Sequence, residues 1–324
     1  MSQPVLQDQF EPAPADSVVA VRARSWWELL WVRFKRDKAA LAGATLIAVL
    51  VVLALAAPLF NVLLGHGPND LFGSTMLTDL GLPKGPNGEF WFGSDQVGRD
   101  VFLRVLYGAR TSLLVAFIAT GFAVITGVIL GIIAGYMGSV TDTVITRLVD
   151  IVLAMPILLF AIGIATVCGI TAEGCLGGLL QPGLSLVIGV IALFTWPNIA
   201  RIVRGQVLSL REREFIEAAR SLGASTRRIM FKELLPNLAA PIIVYSTLMI
   251  PANILFEAYL SYLGVGVPQT TPSWGRMLSD ATEGQLFTYA WWMMVFPGAF
   301  LLLTTLSFNL VGDGLRDALS PERE

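Results

Sequence analysis

The sequence predicts an all-α integral membrane protein with six spans. Three observations predict it. Of 324 residues, 55% are hydrophobic and 14% charged, against about 25% charged in soluble domains. The mean hydropathy is +0.69. Apolar runs long enough to cross roughly 30 Å of hydrocarbon recur near 39–60, 111–136, 143–167, 184–204, 237–265 and 290–311.

Residues 1–24 are polar, carry Pro4, Pro12 and Pro14, and lack the apolar core of a signal peptide. They read as a disordered tail. Residues 25–38, SWWELLWVRFKRDK, place Trp26, Trp27, Leu30, Trp31 and Phe34 at helical spacing beside Arg33, Lys35, Arg36 and Lys38. Such a helix lies at the headgroup level and leads into the first span, 39–60. The segment 61–110 is a long outside loop. Its first part is rich in Gly, Pro and Asn. A helix is expected from Asp100 onward, where that capping residue stands ahead of Phe102, Leu103 and Leu106. A core of five spans then fills 111–312, interrupted by an inside loop at 212–236, and 313–324 forms a tail.

Orientation follows from the basic residues. With the N-terminus inside, sixteen Lys and Arg fall on inside segments. Five, namely Lys84, Arg99, Arg104, Arg110 and Arg276, fall outside. Both termini are therefore expected in the cytoplasm. Cys168 and Cys175 share one outside loop, CGITAEGC. An oxidising compartment favours a disulfide there; the alternative is two small free residues near a membrane surface.

Several chemistries lack their residues. The single histidine, His66, excludes a His-based zinc site, and no P-loop or GxSxG elbow occurs. Neither a metal nor a cofactor is expected, and any energy source lies in another subunit. Polar residues within the spans are few. Arg147 and Asp150 can pair on one helix face. Asn253 and Glu257, one turn apart, read equally as part of a polar pathway or as interhelical hydrogen-bonding groups. Pro156, Pro197, Pro251 and Pro297 fall in or near spans and are expected to kink them.

The stretch EAARSLGASTRRI, 217–229, resembles a helix-turn-helix. Phe215, Ala218, Ala219 and Leu222 form an apolar stripe. Gly223 supplies the left-handed turn, and another helix is expected from Ser225 to Leu235, stopped by Pro236. With spans close on both sides, this hairpin cannot enter a major groove. It suits a helix pair against the bilayer that presents Glu217 to a soluble partner, not nucleic acid.

Glu217, Ala218, Ala219, Gly223, Leu235 and Pro236 match the EAA loop of ABC importer permeases, with Glu233 where that pattern prefers Ile. FGSDQVGRDVFLRVLYGARTSL, AGYMGSVTD, RLVDIVLAMP, PSWGRMLSDA and LSFNLVGDGLRDALSP resemble the C-type permease of dipeptide and oligopeptide importers. The resemblance covers residue 25 to the end. It implies the type I importer permease fold, with a coupling helix that docks on an ATPase subunit. The implied partners are a homologous B-type permease, two ABC ATPases that bind ATP and magnesium, and an extracytoplasmic solute-binding protein. The implied location is a bacterial inner membrane, and this chain would itself catalyse nothing. Similar permeases import nickel, glutathione or oligosaccharides, so the solute stays open, and a secondary transporter or channel is the competing class.

Overall fold

The computed structural model describes residues 26–171 and 173–319; the tail predicted at 1–24 lies outside them, and of the tail predicted at 313–324 the described part, 313–319, instead continues the last helix. The helices run in order as α1 Trp26–Phe34, α2 Lys38–Leu64, α3 Gly73–Met76, α4 Val101–Met137, α5 Ser139–Ala154, α6 Ile157–Gly169 and α7 Leu184–Leu210. The hairpin region holds α8 Glu214–Ser221, α9 Thr226–Arg228, a π-helical stretch Ile229–Leu234 and α10 Leu235–Asn237. The chain ends with α11 Ala239–Tyr262, α12 Trp274–Thr282 and α13 Trp292–Leu319. Described residues contain only isolated β-bridges, at Leu77–Pro83, Ser94–Asp100 and Cys175–Leu180.

Five helices are long and apolar enough to cross a membrane: α2, α4, α7, α11 and α13. The expected span at 143–167 is instead a broken pair, α5 and α6, bent by 87°. Pro156 explains the break. It forces Met155 into extended backbone (ψ 137°), as a residue before proline prefers. Pro197, Pro251 and Pro297 lie inside helices that run on through them.

Another difference concerns α4. The outside segment ending at 110 and the span from 111 are one helix of 37 residues. Asp100 caps it, accepting from Phe102 N at 2.8 Å. Its first turns sink into protein, with Val101, Leu103, Arg104 and Val105 fully buried. The loop before it is irregular but folded. Phe92 stacks on Phe296 at 3.8 Å, and Trp292 Nε1 donates to Ser94 O at 2.9 Å. Beyond α6, Cys168 and Cys175 are joined by a disulfide.

The bundle is built on close contact between α4 and α7. Gly127, Gly131 and Gly135 recur every fourth residue along one face of α4. A side chain at these positions would meet Ile199 Cβ at 2.7 Å, Ala200 O at 2.7 Å and Val207 Cβ at 2.8 Å respectively. Small residues at this spacing let two backbones approach where lipid offers no hydrophobic drive for association. Across the bundle, α2, α4, α11, α12 and α13 share a core of Ala54, Leu113, Ile254, Trp274 and Phe308. Gly131→Leu is expected to destabilise by about 1–3 kcal/mol or more through overpacking. Thermal unfolding in detergent should show it, while Gly121→Leu, with open space around it, should leave the midpoint unchanged.

Candidate functional site: the hairpin and its mounting

The hairpin grows from the end of α7. Arg213 has extended backbone at the N-cap of α8, and Glu214 and Glu217 occupy its first turn while Arg220 occupies its last. That order of charges complements the helix dipole. Gly223 takes φ +75°, and its N–H together with that of Ala224 bonds back to Arg220 O and Ala219 O. Ser225 then caps α9, accepting from Arg228 N at 3.4 Å.

Pro236 does not stop the helix that follows the turn. Leu238 N bonds to Leu234 O, and Ile242 N to Leu238 O, so the chain continues into α11. A proline lacks its N–H and crowds the carbonyl four residues back; the π-helical turn just upstream widens the helix there. Hairpin and span five are thus joined without a loop.

One side of the hairpin is anchored. Ile216 is fully buried in a cluster with Val207, Ile229, Met230, Leu234 and Leu238. Arg220 lies over the Tyr136 ring, 5.3 Å from its centroid, and Arg211 Nη1 donates to Gly135 O at the end of α4 (3.1 Å). The predicted stripe faces the other way. Phe215 and Ala218 are exposed, and Leu222 is 87% exposed; only Ala219 reaches the core. Glu217 is exposed as well, on the strip of α8 that it shares with Glu214 and Arg220 at helical spacing, and no ion pair or hydrogen bond holds its carboxylate among the described residues. The exposed surface of α8 therefore combines the carboxylates of Glu214 and Glu217 with three apolar side chains on a rigid base.

The other polar candidates resolve differently. Asn253 and Glu257 are buried between helices rather than set on an open pathway. Ser112 and Ser261 donate to the two Glu257 oxygens at 2.8 and 2.7 Å, and Asn253 Nδ2 donates to Thr120 Oγ1 at 2.8 Å. They tie α11 to α4. Arg147 and Asp150 do not pair. Asp150 instead meets Arg201 of α7 at 3.0 Å, because α5 lies alongside α7, and Arg204 makes a two-pronged bond to Asp142, with Nη2–Oδ2 at 2.7 Å.

At the opposite end lies a buried ionic cluster that hydropathy does not reveal, although its residues all fall within FGSDQVGRDVFLRVLYGARTSL and PSWGRMLSDA. Asp95 accepts from Arg99 Nε at 2.6 Å and lies 3.5 Å from Arg104. Asp280 bonds Arg276 at 3.0 Å and lies 3.7 Å from Arg99. Arg104 also reaches Asn69 Oδ1 and Gln269 O, so the cluster clamps the 65–100 loop, α4 and α12 together. Burial pushes the Asp280 carboxyl above its usual range, opposed by Arg276, Arg104 and Arg99. Burial likewise raises Asp100, against the pull of His66, whose Nε2 lies 3.0 Å from Asp100 Oδ2. Beyond those motifs, the sequence signal is the four-residue spacing of Arg276 with Asp280, one turn of α12, and of Asp95 with Arg99, which share a turn outside any helix.

Residues 127–324 match the family described as the binding-protein-dependent transport system inner membrane component. The chain belongs to that family. Residues 25–72 match the N-terminal transmembrane domain of oligopeptide transport permease C. The oligopeptide transport system permease protein OppC of Bacillus subtilis (strain 168) is 38% identical over 99% of both chains. The dipeptide transport system permease protein DppC of Alkalihalophilus pseudofirmus is 41% identical over 96% of this chain and 94% of that one. In fold, the chain is similar to inward-facing forms of the MetNI methionine ABC transporter. One aligns with a TM-score of 0.53 and 18% identity, over 67% of this chain and 96% of that one. The protein is thus a multi-pass inner-membrane permease subunit with the type I importer fold. Within it, removing one member of the buried cluster strands its counter-charge. Arg99→Met is expected to cost about 3–5 kcal/mol, read as a lower unfolding midpoint and faster protease cleavage within residues 65–100.

Proposed function

We propose that this permease forms half of the pathway of an ATP-driven importer of dipeptides or oligopeptides. The exposed surface of α8 carries this reading: the apolar Phe215, Ala218 and Leu222 on one strip and the carboxylates Glu214 and Glu217 on the next. An apolar strip beside a carboxylate strip suits a protein partner that supplies a cation and covers the apolar side chains. In this family that partner is an ABC ATPase, and two such subunits would bind the ATP and magnesium that this chain has no P-loop to hold. The basic-residue count favours a cytoplasmic hairpin and cytoplasmic termini. The loop end, with the disulfide and the ionic cluster, then faces outside, where a solute-binding protein would deliver cargo to this chain and a homologous B-type permease.

The mechanism follows from the mounting. Ile216 and Arg220 fix α8 to α4, and the second arm of the hairpin runs through the π-helical stretch into α11 without a loop. Closure of the ATPase dimer would therefore push two spans rather than flex a linker. The spans would switch between inward and outward openings, with nucleotide and cargo biasing the populations. The peptide assignment is supported by the relatives' names and their near full-length match. Glu217→Lys is expected to abolish peptide uptake and loosen ATPase association, with membrane insertion normal. Vesicle uptake and co-purification would measure it; wild-type uptake by this variant would refute the coupling role.

A further inference from the structure

Beside the α4–α7 contact lies a cavity of about 290 Å³ between α5 and α7, lined by Ile145, Thr146, Val149, Asp150, Arg201 and Arg204 among others. At its edge, the Arg201 and Asp150 side chains meet at 3.0 Å while remaining 59% and 47% exposed. Both lie back from the hairpin-side ends of their helices. Asp150 lies about 16 Å along α5 from Ser139, and Arg201 about 14 Å along α7 from the hairpin-side end at Leu210, taking 1.5 Å per residue. A half-exposed charge is costly against lipid. An arginine can snorkel to the headgroups, but an aspartate on a one-carbon stem cannot. The exposed Val140, Val144, Leu148 and Ile151 offer α5 a separate apolar face, so lipid or a neighbouring helix can cover that side. The charged side needs water.

We infer that the α5–α7 cavity belongs to the aqueous pathway, and that Asp150 and Arg201 form a transient subsite for a zwitterionic peptide. The inference rests on the peptide-import reading. Asp150 receives the ammonium terminus and Arg201 the carboxylate, each as a charge-assisted hydrogen bond that replaces half of the protein's own pair. Arg204, held by both prongs on Asp142, stays fixed beneath them. The half-exposed pair is weakly held, as a pathway site must be if cargo is to leave again.

The native cysteines are bonded to each other, so an introduced cysteine supplies the reactive thiol. In the whole purified importer, Thr146→Cys is treated with a charged, water-soluble methanethiosulfonate. Ile125→Cys, exposed on α4 away from the cavity, is the comparison. Thr146→Cys should react an order of magnitude faster. Dialanine should slow that reaction several-fold; adding Arg201→Gln or Asp150→Asn should remove the protection, and Arg201→Lys should keep most of it. Reaction as slow as at Ile125→Cys would overturn the aqueous placement. Reaction without protection, or protection untouched by Arg201→Gln and Asp150→Asn, would overturn the subsite. Failure of the peptide-import reading itself would show separately, as absence of peptide uptake by the unmutated importer.

Discussion

The contact between α4 and α7 is the constraint on which the rest depends. Gly127, Gly131 and Gly135 let the two helices approach until any side chain would collide with the facing backbone or a β-carbon. Within hydrocarbon the hydrophobic effect does not drive helices together, so close van der Waals contact has to. Everything at the hairpin end is placed from that seam. Arg211 leaves α7 and bonds the last turn of α4, Ile216 enters the core that the seam creates, and Tyr136 at the end of α4 holds Arg220. The coupling surface is stiff because its foundation is.

The two ends of the bundle use charge in opposite ways. At the loop end, Asp95, Arg99, Arg104 and Asp280 are buried and mutually paired, which fixes the order of loop, α4 and α12. At the hairpin end, Glu217 is left unpaired and exposed. A charge that is paired inside one chain contributes architecture; one left open on a rigid surface is available to another chain. The buried Glu257 also contributes architecture, but through hydrogen bonds from Ser112 and Ser261 rather than a counter-charge.

Hydropathy makes α2 and α11 legible to within about four residues and the starts of α7 and α13 to within two, but it stops at 204 and 311, whereas α7 and α13 run on to Leu210 and Leu319 through polar and charged residues that lower the average. It does not show that α4 runs on above its span, since Val101–Val105 are buried by protein rather than lipid and their neighbours Arg99 and Arg104 depress the average. Pro156 is legible as a kink but not as a bend of 87°. Periodicity pairs Asp150 with Arg147 because it sees neighbours on one helix, whereas the actual partner, Arg201, is set by which helices touch. The hairpin's residues stand out in the sequence. The side that the stripe faces does not, because Ile216 and Phe215 are equally apolar and only the tertiary contact selects Ile216 for burial.

The central claim is that the α8 surface docks an ATPase. The most direct test places a photo-crosslinking amino acid at position 222, the most exposed apolar site on that surface, and identifies the adducts by mass spectrometry after irradiation of native membranes. The account predicts a P-loop ATPase as the main adduct, weakened by Glu217→Lys in the same chain. Adducts with lipid alone, or with no ATPase at any level of irradiation, would contradict it.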